Sequence, residues 1–160
     1  MLAESYIERI LDQAVSCGVD YAEVFFEDVE RTRADLVDSE VVRCACGCES
    51  GIGIRVFRGL ESEYLYSADV REECVLGLIR KRLGTGGVFG KRTPLSRFTP
   101  HGIVTQGKLP HDRSLKEKIG YLKEAVDTGK REEACIVQGR AYYVDADQRV
   151  QIANTDGVYA

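Results

Sequence analysis

The clearest pattern in the chain is an alternation of period two between Val42 and Phe57. Side chains of one parity are apolar or thiol-bearing, and Ser50 is the only exception. Residues two apart lie on the same face of a strand, so this parity is expected to be buried against helices. It comprises Val42, Cys44, Cys46, Cys48, Ile52, Ile54 and Val56. The pattern therefore predicts one long, half-buried strand from Val41 to Phe57.

The other parity of this strand carries Gly47, Gly51 and Gly53, followed by Arg55. Glycine weakens a strand and has no side chain to pack, which favours a close approach of another backbone or of a ligand. A bulge or bend in the strand would explain the glycines equally well. Gly51, Gly53 and Arg55 are the residues that we predict to contact a partner or a peptide.

Further short strands and turns surround the long strand. Turn residues at 38–40 and 58–60 separate it from its neighbours, which favours an antiparallel meander. The other predicted strands are Tyr21–Val29, Thr32–Val37, Glu61–Tyr66, Ala134–Val144 and Val150–Asn154.

Three segments have the apolar spacing of amphipathic helices. The first lies within Met1–Gly18 and stops at its glycine. The second is predicted to start in a capping box at Asp69 and to stop at Gly84, and the third to start at Ser114, with Glu117 as capping partner, and to stop at Gly129. The expected fold is α+β, an antiparallel sheet with about three helices packed on it.

An irregular connector, Gly84–His111, contains all three prolines of the chain. Its Gly86–Thr93 segment looks like a phosphate-binding loop, but it follows a helix instead of joining a strand to a helix, and its first glycine position is occupied by Thr85. A segment of this length without periodicity is either a functional loop or a connector, and we interpret it as a connector within a single domain, 1–160.

The composition excludes several classes of function. The net charge of −4 over 160 residues provides no broad electropositive surface for nucleic acid. No apolar run approaches the roughly 18 residues of a membrane span, and the amino terminus lacks the pattern of a secretion signal. These features predict a cytoplasmic protein without direct nucleic-acid or membrane binding.

The cysteines on the long strand could be thiolate ligands, but metal sites usually space cysteines around a turn and use a second cluster. Free cysteine is also among the most buried residue types. Cys44, Cys46 and Cys48 are thus expected to line the core. Cys17, Cys74 and Cys135 are placed on helix or strand faces, without disulfides in a cytosolic protein.

Three segments carry a resemblance to a known family. Asp20–Glu27 (DYAEVFFE), Gly51–Phe57 (GIGIRVF) and Tyr64–Ser67 (YLYS) together resemble the amino-terminal domain of the TldD/PmbA family, and the first of them resembles the TldD side more closely. Members of that family are metallopeptidases or their paired subunits, once described as modulators of DNA gyrase. The Asn154–Gly157 turn is similar to an element of the family, in which the partner strand then continues.

The resemblance implies a non-catalytic role for this chain. Its two histidines, His101 and His111, lie in the connector, and neither H-E-x-x-H nor H-E-x-x-x-H occurs in the sequence. In the family, the metal helix lies in the carboxy-terminal half, beyond the point that Ala160 matches. We therefore expect no catalytic residue, metal ligand or cofactor in this chain, with zinc bound in a missing carboxy-terminal peptidase domain.

The resemblance also implies partners and a substrate. In the family, the amino-terminal domain helps to form a dimer and a cavity in which unfolded peptides are hydrolysed. The expected partners are a TldD/PmbA-type subunit, in a homo- or hetero-oligomer, and an unfolded peptide. Two alternatives remain open: a free-standing binding or regulatory module without peptidase activity, and a metal module built on Cys44, Cys46 and Cys48.

Overall fold

A computed structural model describes residues 1–84, 92–97 and 109–160. Over these residues the chain forms a six-stranded, mostly antiparallel sheet and three α-helices, so the predicted α+β fold is confirmed. The sheet order is β3-β2-β1-β5-β6-β4. The helices are α1 (Glu4–Ser16), α2 (Glu72–Leu83) and α3 (Leu115–Glu132), and the strands are β1 (Tyr21–Val37), β2 (Glu40–Arg58), β3 (Glu61–Ser67), β4 (Ser96–Arg97), β5 (Arg140–Asn154) and β6 (Val158–Tyr159).

The chain divides into two compact units, and β1, β2 and β5 each contribute residues to both. Unit 1 comprises Met1–Asp28, Glu49–Ile103 and Arg149–Ala160, and unit 2 comprises Val29–Cys48 and Val104–Gln148. This division shows which residues pack together compactly, and it does not define evolutionary domains. The interpretation of 1–160 as one domain of the TldD/PmbA type stays a prediction.

The core of unit 1 lies between the sheet and the helices α1 and α2. Alternation places Ile52, Ile54 and Val56 of β2 on the buried face, as the period-two pattern predicts for this end of the strand. The buried helical side chains that meet this face are Ile7, Ile10, Leu11 and Ala14 of α1 and Val75 and Ile79 of α2.

The core of unit 2 is smaller. Leu122 and Val126 of α3 pack with Ala34 and Leu36 of β1, and the partly buried side chains of Ile119, Ala141 and Tyr143 pack against this cluster. No β2 residue belongs to either this cluster or its margin.

The predicted burial of the strand thiols is wrong. Cys44, Cys46 and Cys48 are all exposed, as are Val41 and Val42. The physical reason is the reach of the helices: α1 and α2 contact only the end of β2 that contains Ile52–Val56, and α3 packs on β1 and β5. A period-two pattern identifies a strand face, but it does not show how far a covering helix extends. We refer to Cys44, Cys46 and Cys48 as the edge thiols.

The helix termini test the capping predictions. The Ser114 hydroxyl accepts a hydrogen bond from the Glu117 N–H, and the Glu117 carboxylate accepts one from the Ser114 N–H, which confirms the predicted capping box. Helix α3 continues past Gly129 to Glu132. The predicted box at Asp69 is wrong, because α2 begins three residues later and the Asp69 carboxylate binds the N–H and guanidinium of Arg71 instead.

The turn predicted near the carboxy terminus is present. The Asn154 side chain accepts hydrogen bonds from the Asp156 and Val158 N–H groups, and Gly157 has the positive φ of 95° that the turn requires. Ile152 and Ala160 then exchange two backbone hydrogen bonds of 2.9 Å, which continues the hairpin. The two predicted strands before this turn form one continuous strand, β5.

Most of the predicted connector lies outside the described residues, including His101 and nearly all of the Gly86–Thr93 segment. Arg92 is described, and its guanidinium forms ion pairs with Glu8 at 3.2 Å and Asp12 at 2.5 Å on α1. Among the helices that the structure describes, none has both the length and the apolar character needed to cross a bilayer.

Candidate functional site

The three residues predicted to make contacts lie where β2 pairs with β3. Gly53 is opposite Tyr66 and Arg55 is opposite Tyr64 in the antiparallel register. Because side chains alternate, Gly51, Gly53 and Arg55 face away from α1 and α2, on the opposite side from Ile52 and Ile54. The structure therefore brings the predicted residues together on the outer face of unit 1.

The neighbours of the two glycines are tyrosine rings of the chain itself. A Cβ atom added to Gly53 would lie 2.7 Å from Cζ of Tyr64, and one added to Gly51 would lie 2.8 Å from Oη of Tyr66. Aromatic side chains of a neighbouring strand commonly cover strand glycines in this way. The sequence interpretation considered a second backbone, a ligand or a bulge at these glycines, but not tyrosine rings of the neighbouring strand.

Further aromatic and charged groups extend this surface. The Arg55 guanidinium carbon lies 5.9 Å from the centre of the Tyr64 ring, a cation–π distance. Phe57 follows on the same face of β2, and its ring meets that of Tyr21 edge-on at 5.9 Å. We refer to Tyr21, Gly51, Gly53, Arg55, Phe57, Tyr64 and Tyr66 as the aromatic face.

The aromatic face is accessible. Tyr64 is 56% exposed and Tyr66 is 62% exposed, although each covers a buried glycine. Burial and the nearby Glu23 carboxylate raise the pKa of Tyr21, which therefore stays a neutral phenol at physiological pH. The surface offers flat rings, phenol hydroxyls and one cation, a composition typical of the centres of protein interfaces.

A second polar cluster lies in unit 2, around a cavity of about 170 Å³. Lys118 of α3 is almost fully buried, and its ammonium group lies 2.7 Å from the Asp145 carboxylate of β5. Burial alone would raise the pKa of Asp145, but hydrogen bonds from Lys118 and Tyr143 outweigh it and keep this pKa below its usual value. Burial and the Asp145 charge raise the pKa of Tyr143.

The same cavity contains His111, whose Nδ1 atom contacts the Asp147 carboxylate. Lys118 pairs with Asp145, and Arg113 pairs with Glu117 at 3.2 Å, so both cations beside the cavity have a carboxylate partner. We interpret these pairs as structural. Within the described ranges, no group of three or more His, Cys, Asp or Glu side chains is arranged to hold a metal ion.

Sequence reasoning missed Lys118 and Asp145, although a signal was available. Lys118 lies four residues before Leu122 and eight before Val126, so helical spacing places it on the apolar face of α3. Asp145 follows Tyr143 by two residues and shares its face of β5. A lysine and an aspartate at inward positions of neighbouring elements indicate a buried ion pair.

Comparison with solved structures identifies the fold. The chain matches a candidate modulator of a DNA gyrase from Thermotoga maritima with a TM-score of 0.74 and 16% identity, over 98% of this chain and 36% of that one. A candidate modulator of DNA gyrase from Bacteroides thetaiotaomicron matches with a TM-score of 0.72 and 13% identity, over 100% of this chain and 39% of that one. TldE from Thermococcus kodakarensis matches with a TM-score of 0.71 and 12% identity, over 97% of this chain and 36% of that one.

The chain has a TldD/PmbA-type fold. The resemblance inferred from Asp20–Glu27, Gly51–Phe57 and Tyr64–Ser67 is thereby confirmed at the level of the fold. The chain spans between 36% and 39% of the length of these three structures, so it corresponds to only part of each of them. No protein-family profile matches the sequence, and no curated protein does so either.

Proposed function

We propose that the chain acts as the non-catalytic, amino-terminal domain of a TldD/PmbA-type zinc metallopeptidase that processes unfolded peptides. In this role it contributes contacts to subunit assembly and to the substrate cavity, while a subunit or domain with an H-E-x-x-x-H string supplies zinc and hydrolysis. The observation that carries the proposal is the aromatic face, which provides binding groups without a nucleophile and base. The fold it shares with TldE and the two gyrase-modulator candidates supports it.

The aromatic face suits an unfolded peptide for a physical reason. Tyr64 and Tyr66 cover glycines, and their exposed rings offer apolar surface that accepts many side chains. Arg55 adds a positive charge beside the Tyr64 ring, and the phenol hydroxyls can bond peptide groups of any sequence. Contacts of this kind select for exposed chain rather than for a particular motif.

Fluorescence polarisation with fluorescein-labelled, denatured casein tests the binding step. Replacing both Tyr64 and Tyr66 by Ala should weaken binding by about tenfold or more, since each ring is large and interfacial aromatic side chains often dominate affinity. Tyr142→Ala is the matched control: this tyrosine in unit 2 is also exposed and also lies 5.9 Å from an arginine, Arg33. Equal losses in both variants, or no loss in either, would reject the aromatic face as the binding surface.

Metal analysis and co-purification test the division of labour. The purified chain should hold no stoichiometric zinc and should not cleave casein, but it should co-purify with a TldD/PmbA-type subunit that contains the H-E-x-x-x-H string. One tightly bound zinc per chain, or chelator-sensitive proteolysis by the chain alone, would refute a non-catalytic role. A chain that binds casein but no such subunit would instead be a free-standing binding module.

A further inference from the structure

One of the edge thiols differs from the other two in its surroundings. Cys46 lines the cavity of about 170 Å³ in unit 2, whereas Cys44 and Cys48 are exposed on the same strand and do not line it. The structure describes all six cysteines of the chain, and Cys46 alone among them lines this cavity. The ion pairs beside the cavity are structural, but they give no reason for a thiol in its wall.

The same cavity contains an imidazole that a carboxylate orients. His111 contacts the Asp147 carboxylate through Nδ1, and only 11% of the Asp147 side chain is exposed, so the fold holds this carboxylate in place. Nε2 of His111 lies 3.6 Å from the Asp112 carboxylate, which is too far for a hydrogen bond. With Nδ1 donating to Asp147, a neutral imidazole has its acceptor lone pair on Nε2. His111 is therefore arranged as a proton acceptor.

A thiol and an oriented imidazole in one small cavity have a defined chemistry. A cysteine is a weak nucleophile while its sulfur carries the proton, and a neighbouring base that removes the proton activates it. The thiol lies on β2, the imidazole in the turn before α3 and the carboxylate on β5, so the fold brings together groups that are distant in sequence. Cys46, His111 and Asp147 thus supply a nucleophile, a base and a positioning residue.

The size and charge of the cavity limit which molecules can reach this thiol. A water molecule takes up about 30 Å³ of the liquid, so the cavity has room for about five groups of that size. Three carboxylates line it, those of Glu30, Asp145 and Asp147, against the two cations Lys118 and Arg113. The cavity therefore favours a short aliphatic group that carries a positive charge.

We propose that Cys46 is a site of reversible modification by small disulfides that carry an ammonium group, with His111 as the base. The Cys46 thiol passes its proton to Nε2 of His111 while its sulfur attacks one sulfur of the disulfide. An S–S bond forms between protein and reagent, the S–S bond of the reagent breaks, and the released thiolate takes the proton back from His111. The disulfide is the oxidant, and excess thiol reverses the reaction by the same route. This site is separate from the aromatic face, and it goes beyond the proposed function.

Reaction of the full chain with cystamine, the disulfide of two aminoethanethiol units, tests the selectivity. Three variants each retain one edge thiol and have Ser at the other two positions. Mass spectrometry of the tryptic peptide Cys44–Arg55 then follows formation of the mixed disulfide near neutral pH. Cys46 should react about tenfold or more faster than Cys44 or Cys48, because it alone has the base. Equal rates would overturn the proposal, since all three thiols are exposed on the same strand.

Two substitutions test the base and its orientation. His111→Gln should lower the Cys46 rate to that of the other edge thiols, and added imidazole should restore much of it, since the free base replaces the missing side chain. Asp147→Asn should also slow Cys46, because an amide that donates to Nδ1 leaves the ring proton on Nε2. The rates at Cys44 and Cys48 should stay unchanged, which controls for unfolding. An unchanged Cys46 rate in His111→Gln, or a loss that imidazole does not restore, would refute the role of His111 as the base.

The charge preference is tested with 3,3′-dithiodipropionate, which carries a carboxylate where cystamine carries an ammonium group. Relative to Cys44, Cys46 should favour cystamine by about threefold or more, and Glu30→Gln should reduce this preference. Glu124→Gln, which removes an exposed carboxylate of α3 that does not line the cavity, is the control and should not. Equal reaction with both reagents, or a preference for the anionic one, would overturn the proposed ligand class. None of these measurements involves casein, so a failure here is distinct from a failure of the aromatic-face proposal.

Discussion

Removal of one partner of the buried Lys118–Asp145 pair should strongly destabilise unit 2. Only 5% of the Lys118 side chain and 11% of the Asp145 side chain are exposed. In Asp145→Asn the lysine charge remains buried without a carboxylate, and breaking a buried pair in this way typically costs about 3–5 kcal/mol. The adjacent cavity of about 170 Å³ admits water near Lys118, so we expect the lower end, about 3 kcal/mol.

Urea unfolding of Asp145→Asn, Lys118→Met and the double variant measures this loss of unfolding free energy and the coupling between the two residues. Because the double variant leaves no buried charge, its free energy of unfolding should exceed that of Asp145→Asn, and the cycle should give a coupling of about 2 kcal/mol or more. Glu63→Gln breaks the exposed pair with Arg82, and this control should cost less than about 1 kcal/mol. A cost below about 1 kcal/mol for Asp145→Asn, with no coupling to Lys118, would refute the interpretation of this pair as a buried ion pair.

The pH dependence of the same contribution has a defined sign. The folded state lowers the pKa of Asp145 below the usual carboxyl value of 3.8. The unfolded chain therefore takes up this proton first as the pH falls, and the stabilisation is complete above about pH 5. It should diminish as the pH falls below 3.8 and through the lower, folded pKa. The difference in unfolding free energy between the wild type and Asp145→Asn should shrink over that range.

Three further predictions follow from local geometry. In the native state under reducing conditions, the edge thiols should react with a thiol reagent far faster than Cys17, and equal rates would contradict their exposure. Ser114→Ala removes the capping hydrogen bond of α3 and should cost about 1 kcal/mol of unfolding free energy, while Ser5→Ala, which has no capping role, should be near neutral. Gly53→Val should displace the Tyr64 ring and weaken casein binding without changing the zinc content of an assembled peptidase; loss of zinc would show that this domain shapes the metal site.

Local patterns accounted for much of the fold. The box of Ser114 and Glu117 marks the start of α3, and the turn at Asn154–Gly157 marks the end of β5, because both signals depend on hydrogen bonds within a few residues. Asp69 gives the limit of such signals. The spacing to Glu72 is that of a capping box, but the nearby Arg71 takes the carboxylate, and α2 begins later.

The features that were predicted wrongly, or not predicted, depend on contacts between residues distant in sequence. Whether Cys46 is buried depends on how far a helix extends over β2, and alternation within the strand does not include that information. The close neighbour of Gly53 is set by the register between β2 and β3, which places the Tyr64 ring over it. Alternation along β2 placed Gly51, Gly53 and Arg55 on one face, and their contact with a partner or a peptide stays a prediction, while the tyrosines beside them required the strand pairing.

The glycines and tyrosines of the aromatic face depend on each other, and this dependence connects the fold to the proposed binding role. If Gly53 carried a Cβ, its 2.7 Å approach to Cζ would force the Tyr64 ring away from the sheet. The absence of a side chain therefore lets the ring cover the backbone, where it excludes water from a strand that glycine would otherwise weaken. In the proposed function, the rings that cover β2 are also the exposed rings that contact a peptide. A larger residue at Gly51 or Gly53 should thus perturb strand stability and binding together, whereas Tyr142→Ala should leave casein binding unchanged.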